Sequence, residues 1–227
     1  MKQQLIYLLK SLKAHPVIDP SISYDDYTPL DLSISNSELK TVDMSSAKAI
    51  QIHINSILKK HHAKVAFGGY IETRGIYSRS EYFNQDNPET ERNIHLGLDL
   101  WIAAGTSVHA PLDGKVHSFA NNTNYGDYGP TIILKHTIND YIFYSLYGHL
   151  SIDSLNNLRV GQEFKKGDEI ARLGFPHENG NYAPHLHFQI IEDMQDYLGD
   201  YPGVSNKSDL DFYLENCPNP NSLLKIT

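Results

Sequence analysis

Cysteine is nearly absent. Cys217 is the single one in 227 residues, so no internal disulfide framework can form, and such usage is typical of a reducing compartment. Basic charge is also in short supply: 19 Lys and Arg stand against 27 Asp and Glu, a formal net charge of -8. No basic patch interleaved with aromatics offsets this, which argues against a nucleic-acid partner. Long apolar runs are missing too, and no stretch approaches the roughly 20 residues of a membrane span. The opening segment has Lys2 and the apolar run Leu5 to Leu9, but Lys10 and Lys13 interrupt it and no small-residue cleavage site follows. The expectation is a cytoplasmic protein without a membrane span, of a length that suits one sizeable domain and a smaller appendage.

The chain divides by pattern into a helical N-terminal extension over 1–62, a mainly β domain over 63–200 and a C-terminal segment over 201–227 packing on that domain. Leu5, Leu8, Leu9 and Leu12 recur at helical spacing, which predicts an amphipathic helix over 2–14, ended by Pro16. Residues 15–43 are rich in Pro, Ser and Asp and read as an irregular connection. Ile50, Ile54, Ile57 and Leu58 form the stripe of a second helix over 47–61, capped by Ser45 or Ser46. His53, His61 and His62 belong to it as solvated or helix-terminal residues.

From Ala63 the period changes from helical to extended. Short strands with turn signals at close spacing predict an antiparallel β fold. Asp113-Gly114 is a hairpin signal, and Asn139-Asp140 turns the chain from the strand at 131–136 into the aromatic strand at 141–147. A short helix is expected over 209–215. No internal repeat of solenoid period is present.

Chemistry concentrates in three of these strands. In Ile94-His95-Leu96-Gly97-Leu98-Asp99-Leu100 the apolar residues alternate with His95, Gly97 and Asp99, the pattern of a half-buried strand. On a straight strand His95 and Asp99 would stand roughly 13 Å apart. Sharing one ion therefore requires a bend near Gly97, where glycine permits it. The segment Pro184-His185-Leu186-His187-Phe188-Gln189 presents His185 and His187 on one face, about 7 Å apart. The aromatic strand runs into Gly148-His149. Together these supply four imidazoles and one carboxylate.

His95-x-x-x-Asp99, Tyr147-Gly148-His149-Leu150 and His185-Leu186-His187, in this order, resemble the three signature motifs of the M23 family of zinc metallopeptidases, the lysostaphin/LytM-like peptidases. The connecting text from Ala110 to Val116 and from Val160 to Asp168 is similar as well, and the resemblance covers roughly residues 65–192. Gly69-x-x-x-x-Arg74 departs from the Gly-x-x-Arg-type element of many members. The resemblance implies a duplicated-hybrid-motif fold and one zinc ion per chain held by His95, Asp99 and His187, with the fourth position open as a catalytic site requires. It implies that His149 and His185 are the catalytic pair, one taking a proton from the attacking water and the other steadying the oxyanion or protonating the leaving amine. The substrate implied is a peptide or a peptidoglycan-derived fragment.

Other residues have humbler expectations. Gln189 is a candidate to hydrogen-bond a ligand, or else a core or surface amide. Arg74 orients a substrate carboxylate or forms a surface ion pair with Glu72 or Asp86. Tyr144 and Tyr147 are packing residues. His109, His117, His136 and His177 match no ligand position, with His177 a candidate for the rim. Two histidines and a carboxylate also describe a non-haem iron oxygenase, but there the first pair usually lies two residues apart. A non-catalytic M23-like binding module, its cleft blocked, is the other alternative. A lipoyl-like carrier would need a displayed lysine that nothing assigns to Lys165 or Lys166.

Overall fold

A computed structural model describes residues 2–81, 83, 87 and 89–227. The fold is mainly β. Among the described residues thirteen strands follow one another: β1 (Tyr27–Pro29), β2 (Val65–Gly68), β3 (Glu72–Thr73), β4 (Ile94–His95), β5 (Leu98–Trp101), β6 (Ser107–His109), β7 (Gly114–Asn122), β8 (Gly129–Ile138), β9 (Tyr141–Gly148), β10 (Glu163–Phe164), β11 (Glu169–Arg172), β12 (His185–Ile191) and β13 (Val204–Ser205). Eight of them form one sheet in the order β1-β2-β5-β12-β9-β8-β7-β10. All pairs are antiparallel except β1 with β2, which run parallel. A two-stranded sheet, β6 with β11, and a three-stranded one, β13-β4-β3, complete the framework.

Helix α1 (Lys2–Ser11) is shorter than the periodicity predicts. The Ser11 hydroxyl donates to Leu8 O, and the chain then leaves helical geometry so that His15 N–H donates to Pro111 O. The residue before a proline is disfavoured in the helical region, which sets the same limit. Helix α2 (Ala47–His61) has the expected bounds. Ser46 is its cap, accepting from Ala49 N–H, and His62 leaves it in the left-handed region at φ +54°. His61 and His62 are exposed, while His53 is half-buried. Helix α3 (Leu210–Asn216) lies where the short C-terminal helix is expected, and α4 (Asn221–Leu224) follows.

The main core joins Leu5 and Leu9 of α1, Leu223 and Leu224 of α4, and the apolar residues of the large sheet. A second cluster packs Leu30, Leu32, Ile50 and Ile54 of the N-terminal segment against Ile76, Tyr77, Trp101 and Tyr182. The connection over 15–43 is thus largely irregular, yet it contributes β1 to the large sheet. At Asn139 and Asp140 both φ angles are positive, giving the two-residue hairpin between β8 and β9. Asp113-Gly114 does not make a hairpin. It carries the chain from β6 in the small sheet to β7 in the large one, and the Asp113 carboxylate accepts from Lys166 N–H.

Candidate active site

Strand register brings the site together. Antiparallel pairing sets His187 of β12 opposite Asp99 of β5, and His185 opposite Trp101. Residues so opposed have Cβ atoms about 5 Å apart. On its other flank His187 pairs with Gly148 of β9, so the first residue after β9, His149, reaches the same space. His149 adopts φ +63°, a conformation of the order of 1 kcal/mol or more above the ordinary basins for a non-glycine residue. Its N–H donates to Tyr128 O, which fixes the turn.

His95 arrives from the three-stranded sheet, because the strand over 94–101 is broken at Leu96-Gly97 into β4 and β5. The bend that the spacing of His95 and Asp99 demands is therefore present. A Cβ on Gly97 would lie 2.4 Å from Cε1 of His187, so only glycine lets the corner pass beneath that imidazole.

Three atoms converge here: Nε2 of His95, Nδ1 of His187 and Oδ1 of Asp99. The nitrogens are 2.8 Å apart and each stands 3.2 Å from the oxygen. Ligands of a tetrahedral zinc ion, at about 2.0–2.1 Å from the metal, are separated by about 3.3 Å. The observed triangle is close to one face of such a tetrahedron.

Protonation leads to the same reading. His95 Nδ1 faces the Gly69 carbonyl at 2.9 Å, and a carbonyl only accepts, so the neutral ring carries its hydrogen there and Nε2 is a lone pair. His187 Nε2 donates to Gln189 Oε1 at 2.9 Å. The orientation of that amide is set by its own NH2 group, which donates to Pro202 O and to Cys217 Sγ. These bonds assign the lone pair of His187 to Nδ1. Two nitrogen lone pairs and a carboxylate oxygen thus face one another in a buried space, an arrangement that a divalent cation relieves. The residues fit the metal.

The other carboxylate oxygen is occupied. Arg74 Nη1 donates to Asp99 Oδ2 at 2.5 Å and its Nε to Glu72 Oε2 at 2.6 Å. Glu72 in turn accepts from Leu32 N–H at 3.0 Å. Arg74 is therefore a buried ion-pair residue rather than a surface one, and Asp86 lies outside the described residues. Burial alone would raise the Asp99 carboxyl, but His95 and Arg74 facing it hold it well below the usual carboxylate range. His95 is itself pushed down to about 3, first by burial and then by Arg74. It is neutral at neutral pH, and Arg74 is the lasting cation beside Asp99.

His149 and His185 form the facing pair, ring centroids 4.2 Å apart. Each donates from Nδ1 to a backbone carbonyl, His149 to Asn179 O at 2.8 Å and His185 to Ala183 O at 2.7 Å. Each consequently keeps a lone pair on Nε2. Burial pushes His185 down to about 4, and it pushes His149 well below the ordinary imidazole range with help from the neighbouring rings of His185 and His187. His185 stacks on Trp101 at 5.4 Å, and its Nε2 lies 3.9 Å from Asp99 Oδ1.

The remaining histidines stand apart. His136 is buried between Asp113 O and the Ser145 hydroxyl, His109 bonds Gly167 O and Ser107, His117 reaches Ser118, and His177 stacks on Phe175. Tyr147 is fully buried in the core. Sequence reasoning missed Tyr128 and Tyr182, whose rings flank His187 and His149 at 5.0 and 4.9 Å. The sequence signal near them is the Gly- and Pro-rich text around the turns at Tyr125-Gly126 and 176–180.

Residues 93–198 match the model of Peptidase family M23. An uncharacterized metalloprotease of Haemophilus influenzae is 36% identical over 108 residues, 47% of this chain and 21% of that protein. A glycyl-glycine endopeptidase of Staphylococcus capitis is 38% identical over 96 residues, 42% of this chain and 24% of that protein. The chain thus spans about a quarter or less of the length of these curated relatives. The catalytic domain of lysostaphin from Staphylococcus simulans aligns at 28% identity with a TM-score of 0.37, covering 53% of this chain and 80% of that one. All five converging side chains lie within the stretch that matches peptidase family M23.

Proposed function

We propose that this chain is a zinc-dependent hydrolase of amide bonds, acting on peptides or peptidoglycan-derived fragments. The observation that carries the reading is the trio of His95 Nε2, His187 Nδ1 and Asp99 Oδ1, three acceptor atoms converging with no hydrogen available between them. They would hold one zinc ion. When bound, zinc supplies Lewis acidity that lowers the pKa of an adjacent water to about 7. Arg74 keeps Oδ2 of Asp99 engaged, which leaves a single carboxylate oxygen for the ion and favours an open fourth position.

The chain's own proton chemistry falls to His149 and His185. Both rings present a bare Nε2 to the same space, and their low basicity keeps them neutral acceptors at neutral pH. One takes the proton of the attacking water on Nε2 and so turns from acceptor to donor. From that nitrogen the proton returns to the departing amine as the C–N bond breaks. The second ring holds the water or the tetrahedral oxygen in place. Similarity to a glycyl-glycine endopeptidase supports a peptide bond between small residues as the target.

Two variants test the roles. His187→Ala should lose both zinc and activity. His149→Ala should keep zinc and lose about 10²–10⁴-fold in rate. Zinc lost from His149→Ala but kept by His187→Ala would reverse the assignment.

A further inference from the structure

The five side chains of the site are all closed off from bulk water: His95, Asp99, His149, His185 and His187 are each 5% exposed or less. The space they face is a pocket of about 140 Å³. At roughly 10–15 Å³ for each water-sized position, that is room for about ten non-hydrogen atoms. A polymer strand threaded past the two imidazoles would instead need a groove open at both ends, rising about 3.3 Å for every residue.

The walls come from both ends of the chain. Leu32 and Ile50 line the pocket from the N-terminal segment, Tyr77 from the turn after β3, and Tyr201, Gly203 and Val204 from the C-terminal segment. These walls are fastened rather than hinged. Leu32 N–H is bonded to Glu72, and Leu30 N–H donates to Phe67 O of β2. Gly203 O accepts from Leu96 N–H, and β13 pairs with β4, the strand that carries His95. Gly203 packs against the Tyr128 hydroxyl and the Nε2 edge of His187, where a Cβ would clash with the hydroxyl and stand 3.2 Å from Nε2. Opening the pocket to a polymer would mean breaking backbone bonds and part of the second hydrophobic cluster.

We propose that the pocket is a confined, partly open reaction chamber whose substrates are small soluble amides of free-dipeptide size, and that cross-linked wall polymer is excluded by the two terminal segments. The inference rests on the hydrolase reading above and narrows its substrate class. Tyr197 lines the pocket while remaining 40% exposed, so it stands at the mouth and sets its width.

Trp101, the only tryptophan, lines the chamber and stacks on His185, so its emission reports occupancy. The test uses the full chain loaded with zinc, its metal content measured on the same sample. It is titrated with acetohydroxamate and, separately, with the hydroxamate of a five-residue glycine peptide. The chamber predicts that acetohydroxamate changes Trp101 emission at concentrations at least roughly tenfold lower than the long hydroxamate does, a gap of about 1.4 kcal/mol or more. Tyr197→Ala should narrow that gap. An equal or stronger response to the long compound overturns the chamber, as does zinc-loaded protein that responds to neither. A chain that takes up no zinc refutes instead the hydrolase reading, and the chamber's role falls with it.

Discussion

Gln189 offers a sharp test of how the chain prepares a metal ligand. It is fully buried, accepts from His187 Nε2, and donates to Pro202 O and Cys217 Sγ. Gln189→Leu removes the acceptor that fixes the His187 tautomer, so the ring is free to place its hydrogen on Nδ1, the atom aimed at the metal. Loss of such an outer partner typically weakens metal binding 10–100-fold, about 1.4–2.7 kcal/mol. The same change strands the partly buried Pro202 carbonyl and leaves the His187 N–H only the Tyr128 hydroxyl at 3.4 Å, which adds about 1–3 kcal/mol of destabilisation even without metal. Gln189→Glu separates the two effects. Its carboxylate accepts from Nε2–H more strongly and makes His187 a better donor, so zinc affinity should equal or exceed that of the wild type, while the metal-free protein is destabilised by a buried charge and a lost donor. Zinc affinity is read by competition with a chromophoric chelator, stability by urea unfolding, and the tautomer by nitrogen NMR of the His187 ring. A folded Gln189→Leu variant that binds zinc within about threefold of wild type would refute this account.

Two other substitutions probe the frame of the site. Gly97→Ala places a methyl 2.4 Å from His187 Cε1. It should displace that ring and cost more than roughly tenfold in zinc affinity with the circular dichroism spectrum unchanged. Arg74→Met leaves Asp99 and Glu72 buried without their cation. It should destabilise the metal-free chain by about 3–5 kcal/mol in urea unfolding, and the zinc-loaded chain by less, because the ion itself neutralises Asp99. An equal deficit in both states would show that Arg74 does not act on Asp99.

Much of the site is legible in the sequence because period-2 alternation assigns each side chain to a face. His185 and His187 leave β12 together for that reason, and the need for a corner at Gly97 follows from the distance between His95 and Asp99. The helix at 47–61 and the Asn139-Asp140 hairpin are readable for equally local causes, a serine cap and two positive φ angles. What is not readable depends on partners distant in sequence. Tyr27–Pro29 shows no period of its own and becomes a strand only by pairing with β2. Asp113-Gly114 carries a hairpin signal, yet the strands on either side of it find partners in different sheets. Arg74 has Glu72 two residues away, which invites a surface pair, but its second partner, Asp99, is brought beside it only by the folding of β3, β4 and β5. The walling of the chamber is nonlocal in the same way, since Leu32, Ile50 and residues from 197–204 line one pocket with a site built from 95–187.

The most direct test of the central claim is the metal content of the purified chain by mass spectrometry, wild type beside Asp99→Asn. Asparagine keeps the shape of the side chain and withdraws the charge that joins His95 and His187 in the acceptor trio. The account predicts close to one zinc per wild-type chain and little in the variant, with both folded. Wild-type protein that holds no zinc after incubation with the ion, or an Asp99→Asn chain that holds as much as wild type, would contradict it.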